Sequence, residues 1–139
     1  MTEFVSDVKT ILYSDEEVFR VLSDLRNLQK VQGEIPQDQV RDLTFDEESV
    51  SFRVEPIGSV RFLVTEREPY KRVKLKSEKL PFDVFLWIEL VAKGEKDTRL
   101  RLTLRAELNP FIRGMVEKPM KEMLEKMSEA LSRLPYDQF

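Results

Sequence analysis

The stretch Leu100-Arg101-Leu102-Thr103-Leu104-Arg105-Ala106-Glu107-Leu108-Asn109-Pro110 changes the period of its apolar residues once, and that change decides the fold. Leu100, Leu102, Leu104, Ala106 and Leu108 share one parity, while Arg99, Arg101, Thr103, Arg105 and Glu107 share the other. Neighbouring side chains of a strand point to opposite faces, so Thr98–Leu108 reads as a strand with one dry and one wet side. Asn109 is a good N-cap, and Pro110 has its φ preset for the first helical position. Beyond it Val116, Met120, Met123, Met127, Ala130 and Leu134 recur at steps of four and three, one face of a helix from about Pro110 to Leu134. About 25 residues at the helical rise give roughly 37 Å, enough to cross strands of about ten residues. Methionine is unbranched and adapts to irregular contents, so a methionine-rich stripe suits a helix that closes a cavity over a sheet, although ordinary core uses it too. Pro119 removes one backbone donor and predicts a kink near residues 115–119.

Composition narrows the chemistry. The chain has 139 residues, 35% charged and 41% apolar, which fits one folded domain, 1–139, with a real core. A formal charge of −3 gives no support for nucleic-acid binding. With no cysteine there are no disulfides, thiolate metal sites or cysteine nucleophiles. With no histidine there is no Ser-His-Asp triad and no imidazole ligand. No cofactor or metal is therefore expected, and any acid–base chemistry falls to carboxylates, lysine, tyrosine or arginine. The first residues carry no signal-like segment, and no window approaches the roughly 18 apolar residues of a membrane span. The expected location is the cytoplasm, as a monomer or weak homodimer.

Earlier segments fit around the closing helix. Residues 3–12 alternate with Phe4, Ser6, Val8, Thr10 and Leu12 on one parity, which predicts one half-buried strand. Ser14 and Glu17 form a capping box, with Tyr13 and Val18 as its hydrophobic staple, for a helix over Asp15–Leu22. Ser23-Asp24 can cap a second short helix with Gly33 at its C′ position. Hairpins follow: Val40–Phe45 with Val50–Glu55, Val60–Glu66 with Tyr70–Ser77, and Phe82–Ala92 with Thr98–Leu108.

The order is strand, two short helices, six strands and a long helix. Together with Ser14-Asp15-Glu16-Glu17-Val18-Phe19-Arg20-Val21-Leu22-Ser23-Asp24, the turn Glu66-Arg67-Glu68-Pro69-Tyr70 and Lys118-Pro119-Met120, it resembles the START-like superfamily. That group includes birch-pollen-allergen-like proteins and bacterial polyketide cyclases. The resemblance implies an α+β helix-grip fold: a curved seven-stranded antiparallel sheet wraps the C-terminal helix around an apolar cavity. Relatives often carry a glycine-rich loop between the second and third strands. Here the turn Asp46-Glu47-Glu48-Ser49 is acidic and lacks glycine.

Inward parity gives the cavity candidates Phe52, Val54, Val60, Phe62, Val64, Val73, Leu75, Val84, Leu86, Ile88, Leu102 and Leu104 from the sheet, with Val116, Met120, Met123 and Met127 from the helix. Ser6, Thr10 and Ser77 are the polar candidates, since pockets are mainly apolar with a few placed polar groups. Periodicity does not distinguish a hollow interior from one filled by the nine phenylalanines; the resemblance favours a ligand-sized cavity. The basic stretch from Arg61 to Lys79 reads as a solvated hairpin before it reads as an anion patch. Phe85 and Trp87 fall on the wet parity, where Arg101 and Arg105 can cover them, the alternative being a partner surface.

The leading function is binding or transport of a small hydrophobic molecule, such as a lipid, isoprenoid or polyketide-like compound. A cyclase or isomerase using the same chamber is one alternative. A protein-interaction module of the chaperone-activator or ribosome-associated type is another, because fold alone does not select a function.

Overall fold

The computed structural model describes residues 2–34, 41–54, 58–78, 80 and 82–139, with the side chains of 30–34 and 54 excepted. Val40, Glu55, Pro56, Ile57 and Lys79 lie outside the described residues.

In chain order the elements are β1 (Thr2–Val5), β2 (Lys9–Ile11), α1 (Asp15–Leu22), a 3₁₀ segment (Leu25–Glu34), β3 (Arg41–Phe45), β4 (Ser49–Val54), β5 (Gly58–Glu68), β6 (Arg72–Glu78), β7 (Val84–Gly94), β8 (Asp97–Ala106), α2 (Pro110–Ser132) and a short 3₁₀ turn (Tyr136–Gln138). Every strand pairing is antiparallel, and the order across the sheet is β1-β8-β7-β6-β5-β4-β3, with β2 also on β8. Both helix starts are capped as the sequence predicts. Ser14 Oγ accepts from the Glu17 amide at 3.1 Å, and Asn109 Oδ1 accepts from the Ile112 amide at 2.9 Å. The second short helix is 3₁₀ and runs past Gly33 to Glu34.

The N-terminal strand corrects the sequence reading. Eight strands fill the seven expected positions because residues 3–12 form two strands instead of one. Val5 faces Thr103 and Lys9 faces Leu100, so four steps along the edge answer three along β8. Ser6 holds the slip. Its amide donates to the Leu102 carbonyl at 2.8 Å, and its hydroxyl oxygen accepts from the Leu102 amide at 2.9 Å. A one-residue slip exchanges the faces of a strand. Phe4 and Ser6 are therefore buried, whereas Val8, Thr10 and Leu12 turn to solvent and Ile11 takes the inward position.

α2 packs against β1, β2 and β8. Glu125 clamps it there, accepting from the Asp7 amide at 2.6 Å and pairing with Lys9 at 3.6 Å, while Glu129 pairs with Lys9 at 3.8 Å. With Glu125 turned to the N-terminal strands in this way, the buried line of the helix runs through Val116, Met120, Leu124, Ser128 and Leu131. Met123, Met127 and Ala130 flank that line half-buried, so the stripe is rotated by part of a step from the one expected. Ser128 is fully buried and returns its hydroxyl to the Glu125 carbonyl at 2.8 Å, a small residue where helix and sheet approach. Pro119 lies inside α2, which runs through it from Pro110 to Ser132.

Past the end of α2 the chain folds back. Tyr136 is fully buried, donates to the Leu131 carbonyl at 2.6 Å, and meets the Tyr13 ring edge-on at 5.8 Å. Burial pushes its phenol well above the ordinary tyrosine value, so it remains a neutral donor. No helix among the described residues is long and apolar enough to cross a membrane.

Candidate functional site

A chamber of about 90 Å³ lies between the inner face of the sheet and the flank of α2. The sheet contributes the inward parity of its strands. In β8 the alternation puts Leu102 and Leu104 on the wall, and cross-strand pairing sets Ile88 and Leu86 beside them in β7, with Leu75 next in β6. Phe62 of β5 and Phe52 of β4 stack at 5.9 Å between ring centres and extend the wall towards β3. Met123 and Met127 close it from α2. Nine of the sequence candidates are thus brought together: Phe52, Phe62, Leu75, Leu86, Ile88, Leu102, Leu104, Met123 and Met127.

The other candidates are placed elsewhere. Val60, Val64, Val73 and Val84 are buried in the inner face but do not line the wall. Val116 and Met120 are buried under the first half of α2, off the chamber. The side chain of Val54 lies outside the described residues. Ser6 and Ser77 are buried, yet each hydroxyl oxygen accepts a backbone amide, Leu102 for Ser6 and Val84 at 3.0 Å for Ser77. Neither reaches the wall. Thr10 is exposed beyond the strand slip and takes a hydrogen bond from Arg99. The polar candidates therefore do not line the chamber, and every described wall residue is apolar.

Sequence reasoning missed one whole side of the wall. Leu25 and Leu28 of the 3₁₀ segment, Leu43 and Phe45 of β3, and Leu124 and Leu131 of α2 all line it, beside Val50 of β4, which has the inward parity, and Ala130, which belongs to the expected helix stripe. Each carried a signal: a spacing of three in the first pair, alternation in the second, and a step of seven from Leu124 to Leu131. Met123, Phe45, Val50 and Phe52 all pack against Leu43, a small apolar seam at the edge of the chamber.

No group of three or more potential metal ligands comes together among the described residues.

The outer face of the sheet carries the half-buried Phe85 and Trp87, whose rings lie 5.9 Å apart. Lys74 sits 5.1 Å over Phe85 and 5.4 Å from Trp87, Lys76 lies 5.6 Å over Phe85, and Arg105 lies 5.4 Å over Trp87. Cations thus cover the aromatic pair, as the sequence suggests, but Arg101 is not among them. It reaches Glu89 at 3.0 Å instead. The basic stretch is also internally partnered. Arg61 meets Glu78 at 2.9 Å, Arg72 meets Glu68 at 3.0 Å, and Arg67 donates to the Ser23 carbonyl at 2.8 Å.

Glu89 anchors this face. Burial raises its carboxyl, but hydrogen bonds from Arg101 and Thr103 outweigh it and hold the pKa below the ordinary glutamate value. A group depressed in the folded state contributes stability above its unfolded pKa and loses it as pH falls through the folded one. Glu89→Gln is therefore expected to flatten the acid limb of stability against pH, over the range from the ordinary glutamate value downwards, measured by urea unfolding. An unchanged acid limb would mean that Glu89 is solvated like a free carboxylate.

No protein-family model matches the sequence, and no curated protein matches it. Solved structures do match in shape. A START superfamily protein from Mycobacterium smegmatis superposes with a TM-score of 0.68 at 17% identity, covering 94% of each chain. A protein from Thermus thermophilus gives 0.66 at 22% identity, again with 94% of each chain covered. Norcoclaurine synthase from Thalictrum flavum, in complex with dopamine and hydroxybenzaldehyde, gives 0.71 at 14% identity over 99% of this chain and 88% of its own. Across nearly its whole length, then, the chain has the START-like helix-grip fold, with an antiparallel sheet of eight strands and a long C-terminal helix.

Proposed function

We propose that this protein binds, and on release transports, a small hydrophobic molecule in the chamber between the sheet and α2. The observation that carries the reading is the wall itself: it is apolar at every described position and closed on one side by two half-buried methionines. Burying apolar surface there gains roughly 25 cal/mol per Å². Ligand sites usually measure about 300–1,000 Å³, so a guest of lipid, isoprenoid or polyketide size requires the chamber of about 90 Å³ to expand. The Met123 seam supports that, because thioether side chains repack readily. The ligands held by norcoclaurine synthase, dopamine and hydroxybenzaldehyde, carry polar groups. The described wall offers such groups neither an ionisable side chain nor a hydroxyl, which favours a carrier over an enzyme of that kind.

Native mass spectrometry of gently purified protein, followed by organic extraction, tests the reading. The expected result is a bound mass that extracts as an apolar compound, or an empty protein that takes up an apolar fluorescent probe in a saturable way. An empty protein that takes up no probe sinks it.

A further inference from the structure

We infer that the part of the ligand held in the chamber is purely hydrocarbon, a single ring or a short branched chain with no polar atom. Any polar end stays outside, at the seam between Met123 and Leu43. The inference rests on the carrier reading above and narrows it to a ligand class.

Hydrogen-bonding capacity around the chamber is spent elsewhere. The buried hydroxyl of Ser6 donates to the Asp7 carbonyl at 3.0 Å, and its oxygen accepts the Leu102 amide. Ser77 is held by the Val84 amide, Ser128 by the Glu125 carbonyl, and Tyr136 by the Leu131 carbonyl. The sheet backbone along the wall is paired strand to strand from β4 to β8. A hydroxyl carried into the chamber thus leaves water and finds no partner among the described residues, which costs more than burying a methyl group of the same size. Apolar cavities of comparable scale in other proteins stay dry and take up benzene or xenon. The volume of about 90 Å³ sets the other bound, since it leaves no room for a fused-ring guest unless the methionines move.

Toluene and phenol differ by a methyl for a hydroxyl, so they isolate the polar contribution at constant size. The experiment titrates each into the full chain carrying ¹³C-labelled methionine methyls, with Met123 and Met127 assigned by Leu substitution and the half-exposed Met115 as an off-site reference. Toluene is expected to shift Met123 and Met127 but not Met115, and phenol to bind the same site at least tenfold more weakly. Met127→Gln places an amide on the wall and is expected to narrow that gap at least threefold. Phenol binding as tightly as toluene, or a gap unchanged in a folded Met127→Gln variant, overturns the inference and leaves the carrier reading intact. If neither compound moves the two methyls, both fail.

Discussion

Leu102→Ala is expected to lower the unfolding free energy by about 2–5 kcal/mol, towards the upper end of that range. Leu102 is fully buried at the middle of β8, paired across to Ile88, and one side of it already faces the chamber. The cost of a large-to-small change is the lost transfer energy plus the void left behind, and it is highest where neighbours do not collapse. Here the vacated space merges with a standing one, and the backbone is fixed by the paired hydrogen bonds to Ser6. The same merger enlarges the chamber. The variant is therefore expected to recover stability in the presence of a bulky apolar probe, since a ligand that binds only the folded state raises stability by mass action. Urea titration with and without probe measures both effects. A loss below about 1 kcal/mol would place Leu102 outside the packed core.

The second large effect has the opposite geometry. Met123→Trp is expected to weaken uptake of an apolar fluorescent probe more than tenfold, at least about 1.4 kcal/mol. Met123 sits on the wall and against Leu43, so an indole there occupies ligand space rather than solvent. Overpacking costs about 1–3 kcal/mol of stability. The far-ultraviolet circular dichroism is expected to stay native, because the Glu125 clamp and the Tyr136 anchor hold α2 independently of the seam. Equal probe affinity in a folded variant would show that the probe binds elsewhere. Leu102→Ala widens the chamber and Met123→Trp fills it, so opposite shifts in preferred probe size are expected from the pair.

The legible part of this fold was the part written in local chemistry. The switch of period at Asn109-Pro110, the capping box at Ser14 and the alternation of β8 each depend on residues within a few positions of one another, and all three stand in the structure. The slip at Ser6 was not legible, because the alternation from Phe4 to Leu12 continues while the register against β8 moves by one. The rotation of α2 was ambiguous for a related reason. Met123 and Leu124 are adjacent and both apolar, and which is deeper is settled by packing against strands distant in sequence, with the Glu125 contact to the Asp7 amide in keeping with it. The site follows the same division. Inward parity picked out the wall residues of β4 to β8, but the split between wall and filled core depends on how side chains interleave across strands. That split left Val60, Val64, Val73 and Val84 off the wall and brought in Leu25, Leu28 and Leu43.

The pairing of β1 with β8 joins residues about a hundred positions apart. Loop closure over such distances is among the slowest steps available to a small domain, whereas the β4–β7 meander is local and can form early. The wall draws on residues from Leu25 to Leu131, so no early intermediate contains a finished chamber. A guest therefore has nothing to hold until the last segments dock. It acts on the way out rather than on the way in, lengthening the lifetime of the folded state while leaving the refolding rate unchanged.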